Sequence, residues 1–362
     1  MKNKIVTTVF CTLLAAGMIL GLMIPDAEVS RTERRKLAAF PQFSWKAVES
    51  GKFMEGLDNY ITDNFPFRDT LRSTSAFVRL RLMGQRDISG VFEYQGGIYG
   101  LENGGNEASP ERLAKKISLI SKKLADSEIF ACVIPEKSAF IKESGYPLPD
   151  YESDVTRFKQ ALPDSIKYID IWNSLDAEDY YRTDLHWRQE RLSSVLRALG
   201  EKMGFDADIS GMERRSYFPF YGGYYSRLGL SGEADELVYL VSPATDSAEV
   251  CSIEAEMNGV YDEQALYGLD SYDVYLSGAK SVITITQPLA QNGRKLVIFR
   301  DSFASSLAPL LLEAQPAYSE ITLVDLRYIS PQLLEEYISL GEYDQALFIY
   351  STMIVENSAL IK

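Results

Sequence analysis

The chain contains one histidine, His186, so any reaction that needs a neutral nitrogen base near pH 7 has to use this side chain. It lies in the stretch YYRTDLHWRQE (180–190), two residues after Asp184. A carboxylate at this spacing can accept from one imidazole nitrogen and leave the other nitrogen facing a nucleophile. The alternative is structural: a surface loop in which Asp184 or Thr183 caps the helix predicted to begin near Trp187. The pair by itself favours the structural alternative.

A serine lies at a strand-to-helix turn in the segment KLVIFRDSFASSLAPLLL (295–312), where an apolar strand ends at Phe299 and an apolar helix follows. Ser302 in this turn would lie at the carboxyl edge of a parallel sheet, where open α/β sheets bind their ligands. The free N–H groups at the start of the helix would stabilise an oxyanion. The alternative is that Asp301 or Ser302 only caps the helix. A serine nucleophile requires a base, and His186 is the one candidate.

Further positions at predicted strand ends or in the serine turn are candidates for oxyanion or substrate contacts. They are the backbone N–H of Phe303 and the side chains of Lys137, Arg300, Tyr350 and Ser351. Lys137 follows the apolar strand EIFACVIP, and Tyr350 and Ser351 end the strand QALFIY, so that both strand ends are expected at one edge of the sheet. For Lys137, the alternatives are a residue that orients a loop and a solvated lysine.

The rest of the sequence predicts the sheet that would carry these residues. Helical patterns at 110–126, 153–162 and 187–203 alternate with apolar strands, and the later strands KLVIF, ITLVDL and QALFIY continue the alternation. Such alternation predicts an α/β fold, in which a mostly parallel sheet carries helices on both faces. Residues 205–290 are richer in Tyr, Gly and β-branched runs and are predicted to form a strand-rich excursion.

The amino terminus predicts a membrane anchor. Residues 5–24 form an uncharged apolar run of 20, about the length of one bilayer crossing, and no clear small-x-small cleavage site ends it. We expect an uncleaved signal anchor over residues 1–25, with the bulk of the chain outside the cytoplasm. The alternative is a cleaved signal peptide and a secreted protein. A linker with a helical and hairpin region (26–109) would then precede the α/β domain (110–362).

Composition narrows the classes of function. A net charge of −14 over 362 residues, without a basic stripe, argues against a nucleic-acid partner. Three cysteines exclude a disulfide framework and allow at most one bridge, Cys132–Cys251. We expect both of these residues to be buried thiols in strands instead. One histidine with two such cysteines makes a zinc cluster unfavourable, while a carboxylate-only Ca²⁺ or Mg²⁺ site stays open. We expect no metal and no cofactor, since no cofactor-binding loop is present.

The segment TDLHW (183–187) resembles the signature Thr-Asp-His-His-Trp of the bacterial DHHW family, with Leu185 in place of its first histidine. The opening SRTERRKLAAFP and GKFMEGLDNYITDNFPFRD, the stretch FYGGYYSRLGL before ADEL, the turn RDSFASSL and the later VDLRY also look like that family. The resemblance covers essentially the whole chain after the amino-terminal run. If the first histidine of the family carries chemistry, this chain is impaired. If the second is the base, His186 suffices.

An Asp-x-His-Trp loop before a strand–Ser–helix turn is also similar to the SGNH-like domains of alginate O-acetylation proteins. This resemblance implies an SGNH-hydrolase-like three-layer α/β/α fold. Transferred position by position, it implies that Ser302 is the nucleophile, His186 the base and Asp184 the group that orients the base. The chain departs from those proteins in one respect, because the charged pair Arg300-Asp301 replaces the small Gly-Thr pair before their serine.

The function implied by these resemblances is acyl-ester chemistry on a cell-envelope polysaccharide, through an acetyl-Ser302 intermediate. With a sugar hydroxyl as acceptor the protein is an O-acetyltransferase, which takes its acyl group from a separate membrane protein. With water as acceptor it is an acetylesterase. The competing hypothesis is a non-catalytic envelope scaffold or glycan-binding protein that keeps the fold, and Leu185 and Arg300-Asp301 favour it.

Overall fold

The structure, a computed structural model, describes residues 2–23, 25–101, 105–124, 126–230, 232–290 and 293–362. Met1 and Ile24, which belong to the predicted anchor, lie outside these ranges. The strands are β1 (Val29–Ser30), β2 (Arg35–Lys36), β3 (Val91–Tyr94), β4 (Gly97–Gly100), β5 (Glu128–Ile134), β6 (Ile166–Ile169), β7 (Glu213–Phe220), β8 (Asp235–Val241), β9 (Glu249–Ser252), β10 (Val282–Thr286), β11 (Arg294–Arg300), β12 (Tyr318–Val324) and β13 (Gln345–Ser351).

The α-helices follow the same alternation along the chain. They are α1 (Lys2–Met23), α2 (Trp45–Glu49), α3 (Lys52–Asp63), α4 (Arg68–Phe77), α5 (Ser109–Ser121), α6 (Tyr151–Ala161), α7 (Ser193–Met203), α8 (Gly223–Leu228), α9 (Pro243–Ser247), α10 (Ala304–Leu307), α11 (Pro331–Leu334) and α12 (Thr352–Glu356). Short 3-10 turns connect several of them, among them Lys137–Phe140, Gln189–Arg191 and Ala308–Glu313.

The chain divides into two compact units. The amino-terminal unit comprises the residues up to Ser89 together with Tyr225–Glu233, and the sheet unit comprises Gly90–Tyr224 and Ala234–Lys362. The first contains α1 to α4, and the second contains the main sheet and every predicted site residue. The boundaries predicted at residues 25 and 109 stay predictions.

The main sheet has seven strands in the order β6-β5-β13-β11-β12-β10-β9. Neighbours from β6 to β12 are parallel, whereas β10 is antiparallel to both β12 and β9. The predicted α/β fold with a mostly parallel sheet is therefore confirmed. The carboxyl ends of β5, β11 and β13 lie at the same edge, which is where the predicted site residues follow their strands.

The central strands are buried on both faces, which explains why their sequences are continuously apolar rather than alternating. On one face, Ile298 and Ile349 pack with the apolar residues of α7 and of the segment that follows Ser302. On the other face, Phe299 and Phe348 pack with α5, α6 and α12. Two apolar layers thus hold the strands in place from both sides.

The strand-rich excursion contains two kinds of structure. Strands β7 and β8 form a separate antiparallel pair, whereas β9 and β10 extend the main sheet at its antiparallel edge. Cys251 lies on edge strand β9 and is exposed, so the prediction that it is buried is wrong. Cys132 on central strand β5 is buried as predicted, and both thiols are free.

The helix predicted to begin near Trp187 begins six residues later, at Ser193. Trp187 instead pairs with Tyr180 in an isolated antiparallel bridge, and the Arg188 N–H donates to the Asp179 carbonyl at 2.7 Å. These hydrogen bonds close the His186 loop on itself before the helix starts. Within the described part of the chain, no helix is both long and apolar enough to cross a membrane, so the predicted membrane-spanning helix is not found.

Candidate active site

Asp184, His186 and Ser302 form one continuous hydrogen-bonded row in the sheet unit. The Ser302 Oγ lies 2.8 Å from the His186 Nε2, although the two residues are 116 positions apart in the chain. The His186 Nδ1 lies 2.6 Å from the Asp184 Oδ1. Asp184 is fully buried and His186 nearly so, while Ser302 is half-buried. The structure therefore brings together the three residues that the sequence singled out.

The Asp184 carboxylate fixes the tautomer of the imidazole. An ionised carboxylate only accepts hydrogen bonds, so the His186 Nδ1 has to donate to it. In the neutral imidazole, the lone pair on Nε2 then faces the hydroxyl of Ser302, as a base requires. The Asp184 Oδ1 also accepts from the His186 backbone N–H at 3.0 Å, and Oδ2 accepts from the Gly223 N–H at 2.6 Å. Both carboxylate oxygens are thus held in place.

The plane of the imidazole is set by aromatic neighbours. The Tyr272 ring stacks on His186 with centroids 4.0 Å and planes 11° apart, and the Phe303 ring tilts against it at 4.9 Å. The Tyr272 hydroxyl donates to the Ser306 Oγ at 3.0 Å, and burial holds the pKa of Tyr272 well above its usual value. Sequence analysis missed Tyr272, because nothing in its local pattern SYDVY signals a position beside the loop 180–190.

Asp301 shapes the turn that carries Ser302. Its Oδ1 accepts from the Phe303 N–H at 3.1 Å and its Oδ2 from the Ser351 N–H at 2.7 Å, so the buried carboxylate joins the ends of β11 and β13. The helix that follows begins at Ala304 without a side-chain cap, so neither Asp301 nor Ser302 takes the capping role that the sequence left open between them. Because the Phe303 N–H is occupied by Asp301, this geometry does not direct it at an oxyanion on Ser302.

The His186 loop is also fastened to the segment after Ser302. The Trp187 Nε1 donates to the Phe303 carbonyl at 3.0 Å and to the Ser306 Oγ at 2.9 Å. The Gln189 Nε2 donates to the Ser306 carbonyl at 2.7 Å, while its Oε1 accepts from the Leu240 N–H at 2.7 Å. Both side chains are fully buried, so the distance between base and nucleophile is set by packed contacts on either side of the site.

Lys137 is buried and holds the start of the His186 loop. Its Nζ donates to three backbone carbonyls, those of Ile98 at 2.9 Å, Tyr181 at 2.6 Å and Arg182 at 3.0 Å. It also lies 4.5 Å from the centroid of the Tyr99 ring. Burial lowers the pKa of Lys137 to about 7. An ammonium has three donors, and all three are used, so Lys137 orients the loop instead of holding a substrate.

Asp235 holds the same loop from the other side, and sequence analysis missed it. Its carboxylate accepts from the Arg182 N–H at 3.0 Å, the Thr183 N–H at 2.7 Å and the Thr183 hydroxyl at 2.5 Å. The Thr183 Oγ1 in turn accepts from the Gly222 N–H at 3.0 Å. A Cβ on Gly222 would lie 2.3 Å from the Asp184 Cβ, so only glycine fits at this position. The available signal in the sequence was the Gly-Gly pair of FYGGYY, which is followed further along the chain by the acid Asp235.

Arg300 is buried behind the serine turn. Its Nη1 donates to the Ser305 Oγ at 3.1 Å and lies 3.8 Å from the Asp325 Oδ2. Its Nε and Nη2 have no hydrogen-bond partner among the described residues, and burial lowers the pKa of Arg300. Asp325 is mainly engaged by Arg327, which binds both of its carboxylate oxygens. Arg300 therefore lies next to the turn but presents no donor to solvent.

Tyr350 and Ser351 end β13, as predicted, but their side chains do not reach Ser302. Tyr350 packs in the apolar layer of Phe299 and Phe348, on the face of the sheet opposite to the segment after Ser302. The Ser351 hydroxyl is buried without a hydrogen-bond partner among the described residues, and only its backbone N–H joins the site, through Asp301. Neither side chain is placed to bind a substrate.

The arrangement has the parts that acyl transfer needs: a hydroxyl nucleophile, a base within hydrogen-bonding distance and a carboxylate that orients the base. The row is buried up to Ser302, so that the one half-exposed member is the nucleophile itself. In the described part of the chain, no group of three or more His, Cys, Asp or Glu side chains is placed to hold a metal ion.

Comparison with known proteins finds similarity in fold. No family model matches the sequence, and no curated protein matches it. Among solved structures, a DHHW family protein from Eubacterium siraeum superposes with a TM-score of 0.62 at 20% identity, over 75% of this chain and 92% of that chain. The similarity to the DHHW family predicted from the sequence is therefore confirmed at the level of fold.

Two further solved structures are similar over most of their length. Bacillus cereus PatB1, solved with a sulfonyl adduct, superposes with a TM-score of 0.58 at 17% identity, over 73% of this chain and 95% of that chain. The O-acetyltransferase domain of Pseudomonas putida AlgJ has a TM-score of 0.44 at 10% identity, over 74% of this chain and 92% of that chain.

Proposed function

With the fold of a DHHW family protein as the premise, we propose that the protein is an SGNH-like acyl-ester enzyme in which Ser302 is the nucleophile. His186 is the base and Asp184 the group that orients it. The observation that carries the proposal is the row of contacts from Asp184 to His186 at 2.6 Å and from His186 to Ser302 at 2.8 Å. The position of Ser302 at the carboxyl end of a parallel strand also supports it, because α/β sheets place their ligands there.

In the acylation step, the Ser302 Oγ attacks the carbonyl carbon of an acyl ester while the His186 Nε2 takes the hydroxyl proton. The carbonyl oxygen becomes an oxyanion, and the imidazolium is stabilised by the buried Asp184 carboxylate. The tetrahedral intermediate collapses when His186 returns the proton to the leaving alcohol. Ser302 then carries the acyl group as an ester. We assign the oxyanion to the Ser302 N–H, since the Phe303 N–H is held by Asp301.

In the deacylation step, His186 removes a proton from the acceptor, whose oxygen attacks the acyl-Ser302 carbonyl. The bond from the carbonyl carbon to the Ser302 Oγ then breaks, and His186 returns the proton to that oxygen. A sugar hydroxyl as acceptor makes the protein an O-acetyltransferase, and water makes it an acetylesterase. We propose a cell-envelope polysaccharide as the sugar acceptor, a separate membrane protein as the acyl donor and a location outside the cytoplasm. The acceptor and the donor are supported by the sequence resemblances, and the location is supported by the apolar run of residues 5–24.

Covalent labelling tests the nucleophile. Purified protein is treated with a sulfonyl fluoride or a fluorophosphonate, and the modified peptide is identified by mass spectrometry. A sulfonyl reagent is suitable because a protein of similar fold, Bacillus cereus PatB1, has been solved with a sulfonyl adduct. We expect one adduct, on Ser302. Ser302→Ala should abolish it, and His186→Ala should slow it at least about 100-fold, because the base activates the hydroxyl.

The matched control is Ser210→Ala, which removes an exposed hydroxyl of the same unit. It should label at the rate of the unchanged protein. Transfer is measured separately, by incubation with 4-nitrophenyl acetate and acetyl-free oligosaccharides and by mass analysis of the sugars. Acetylated sugar favours the transferase, and acetate alone favours the esterase.

The competing function is a non-catalytic scaffold or glycan-binding protein. The specific observation in its favour is that Asp301 occupies the Phe303 N–H, which removes one expected oxyanion donor. An absence of labelling together with an absence of acetyl-ester turnover would establish this alternative and overturn the enzyme. Calorimetric binding of the same oligosaccharides would then identify its ligand.

A further inference from the structure

The amino-terminal unit carries an exposed group of aromatic side chains, which we call the aromatic cluster. It consists of the exposed Phe40, Phe43 and Trp45 together with the half-buried Phe53. The Phe43 ring meets Trp45 at 5.4 Å and Phe53 at 5.5 Å, edge to face in both cases. Phe40, Phe43 and Trp45 are 59%, 61% and 74% exposed, respectively. Such large apolar groups normally lie inside a protein or against a partner, so their joint exposure indicates a contact surface.

The same stretch of the chain is basic, although the protein as a whole is strongly acidic. Residues 31–52 contain six Lys or Arg against two Asp or Glu. The whole amino-terminal unit has 14 Lys and Arg against 10 Asp and Glu, a net +4, whereas the sheet unit has 23 against 41, a net −18. Of the basic side chains that flank the cluster, Arg31, Lys36, Lys46 and Lys52 are exposed. Exposed basic side chains therefore flank the aromatic residues on both sides in the sequence.

Further apolar surface belongs to the same unit. Helix α1 exposes the apolar side chains of Ile5, Val6 and Phe10, each above half. It packs against the turn before α4, where a Cβ on Gly17 would lie 3.2 Å from the Phe65 ring. The corner between α3 and α4 thus rests directly on an apolar helix. The unit combines two features that lipid surfaces select, exposed apolar side chains that include a tryptophan and exposed basic side chains in the same stretch of the chain.

We propose that the aromatic cluster binds the surface of an anionic lipid bilayer, with the Trp45 and Phe43 rings at the level of the headgroups. A second copy of the chain is disfavoured as the occupant, because it would bring the exposed Arg31, Lys36, Lys46 and Lys52 against the same four side chains. Anionic headgroups instead neutralise these four charges. This inference is independent of the proposed reaction at Ser302, since all its residues belong to the other unit.

Tryptophan fluorescence of the full chain tests the proposal. The chain has three tryptophans, and Trp172 and Trp187 belong to the sheet unit, where Trp187 is fully buried. The signal of Trp45 is obtained as the difference between the unchanged protein and Trp45→Phe. We expect it to shift to the blue on vesicles of phosphatidylcholine and phosphatidylglycerol (about 3:1). We also expect it to be quenched at least about threefold when the acyl chains carry bromine near the headgroup.

The charge and the rings are then varied separately. Pure phosphatidylcholine vesicles should lower the quenching of Trp45 at least about twofold. The double variant Phe40→Ser, Phe43→Ser should also lower it, while the control Leu289→Ser, an equally exposed apolar residue of the sheet unit at 69%, should not. The double variant leaves α1 unchanged, so a loss of quenching in it separates binding by the aromatic cluster from association of α1 with the vesicles.

Two outcomes would overturn the proposal. One is equal Trp45 emission on brominated and unbrominated vesicles. The other is a blue shift that grows with protein concentration without vesicles and accompanies dimers in sedimentation equilibrium, which would make a second copy the occupant. Circular dichroism of each variant confirms that it is folded before the quenching is compared.

Discussion

The two units of the protein differ in the interactions that stabilise each of them. In the sheet unit, two continuous apolar layers cover the central strands, and the largest buried side chains include Trp187, Tyr180 and Phe299. In the amino-terminal unit, the buried apolar side chains among residues 25–89 are Pro66, Ala76 and Ile88. The amino-terminal unit has a network of ion pairs instead, and its aromatic side chains are largely exposed.

That network joins two acids to three arginines. Glu33 binds Arg68 and, at 2.8 Å, the Arg72 Nε, while Asp63 binds Arg35 through both carboxylate oxygens. Burial alone would raise the pKa of Glu33. The hydrogen bond from Arg68 and the charges of the three arginines lower it by a larger amount, so the net shift is a decrease. Ion pairs at this degree of exposure each contribute little, so the unit is expected to be the less stable of the two.

This difference in packing decides which unit can hold atoms at fixed distances. A row of side chains with contacts of 2.6 and 2.8 Å needs neighbours that cannot move, and only the sheet unit supplies them. Catalytic geometry is sensitive to displacements of about 1 Å, which can cost about 100-fold in rate. The amino-terminal unit lacks such packing and presents a surface, which suits binding. The following experiments test whether the two units differ in this way.

The largest effect is expected for Asp184→Asn. The amide keeps the size of the buried carboxylate, but it can donate to the His186 Nδ1 and so permits the wrong tautomer. The rate of acyl transfer should fall by about 1,000- to 10,000-fold. Steady-state kinetics measure the loss. Thermal unfolding is followed as well, because the amide nitrogen replaces a buried oxygen that accepts hydrogen bonds. Asp208→Asn, at an exposed turn, is the control. An active Asp184→Asn protein would remove Asp184 from the mechanism.

Gly222→Ala should cost about 100-fold in kcat, because the new methyl group would lie 2.3 Å from the Asp184 Cβ and displace the carboxylate. Gly211→Ala adds the same methyl group where nothing lies within 4 Å, and it should leave kcat unchanged. If both variants lost activity to the same extent, an added methyl group would disturb the site wherever it is placed. The close approach of Gly222 to Asp184 would then not explain the loss.

Lys137→Met should destabilise the sheet unit by about 2 kcal/mol, because three buried carbonyls lose their donor. Chemical denaturation measures the change in the free energy of unfolding. Lys142→Met, at an exposed lysine on the next turn, should change it by less than about 0.5 kcal/mol. Since the lost contacts hold the loop before His186, kcat should fall while KM stays similar. A normal kcat would confine Lys137 to stability.

The smallest effect is expected from Asp63 in the amino-terminal unit. The hydrogen bond from Arg35 lowers the pKa of Asp63 to about 2, below its value in the unfolded chain. Its contribution to stability is therefore present above about pH 4 and is lost as the pH falls towards 2. Amides of α3 should begin to exchange faster in this range while those of β11 stay protected. Hydrogen exchange followed by mass spectrometry measures both.

The same contact can be removed at neutral pH with Asp63→Asn, which should speed exchange in α3 severalfold, equivalent to about 1 kcal/mol or less. Asp58→Asn on the exposed side of the same helix is the matched control. If β11 loses protection together with α3 in either experiment, the two units unfold as one, and the comparison drawn above fails.

Much of the fold could be predicted because its signals are local. The continuous apolar runs of β5, β11 and β13 predict buried parallel strands, and the alternation with helices predicts their connections. The wrong or incomplete predictions concern long-range packing. Cys251 lies on an apolar strand but at the edge of the sheet, and Trp187 starts no helix because Tyr180 pairs with it. Neither fact could be predicted from the neighbouring residues.

The site divides in the same way. Asp184, His186 and Ser302 could be singled out because the histidine is unique and the serine follows a buried strand. Tyr272 and Asp235 could not, since they approach the loop only through the packing of the strand-rich excursion. Arg300 and Tyr350 were selected correctly as strand ends, but the side chains are buried away from the serine hydroxyl.

By itself, the sequence determined which residue types are available: one imidazole and a serine in a strand-to-helix turn. It also determined the strands, because burial on both faces demands continuous apolar runs. Only the tertiary structure decided that Ser302 meets His186 across 116 positions, that Lys137 turns inward, and that Asp301 takes the Phe303 N–H. The physical reason is that sheet order and side-chain packing set these distances, and both are sums over contacts between residues far apart in the chain.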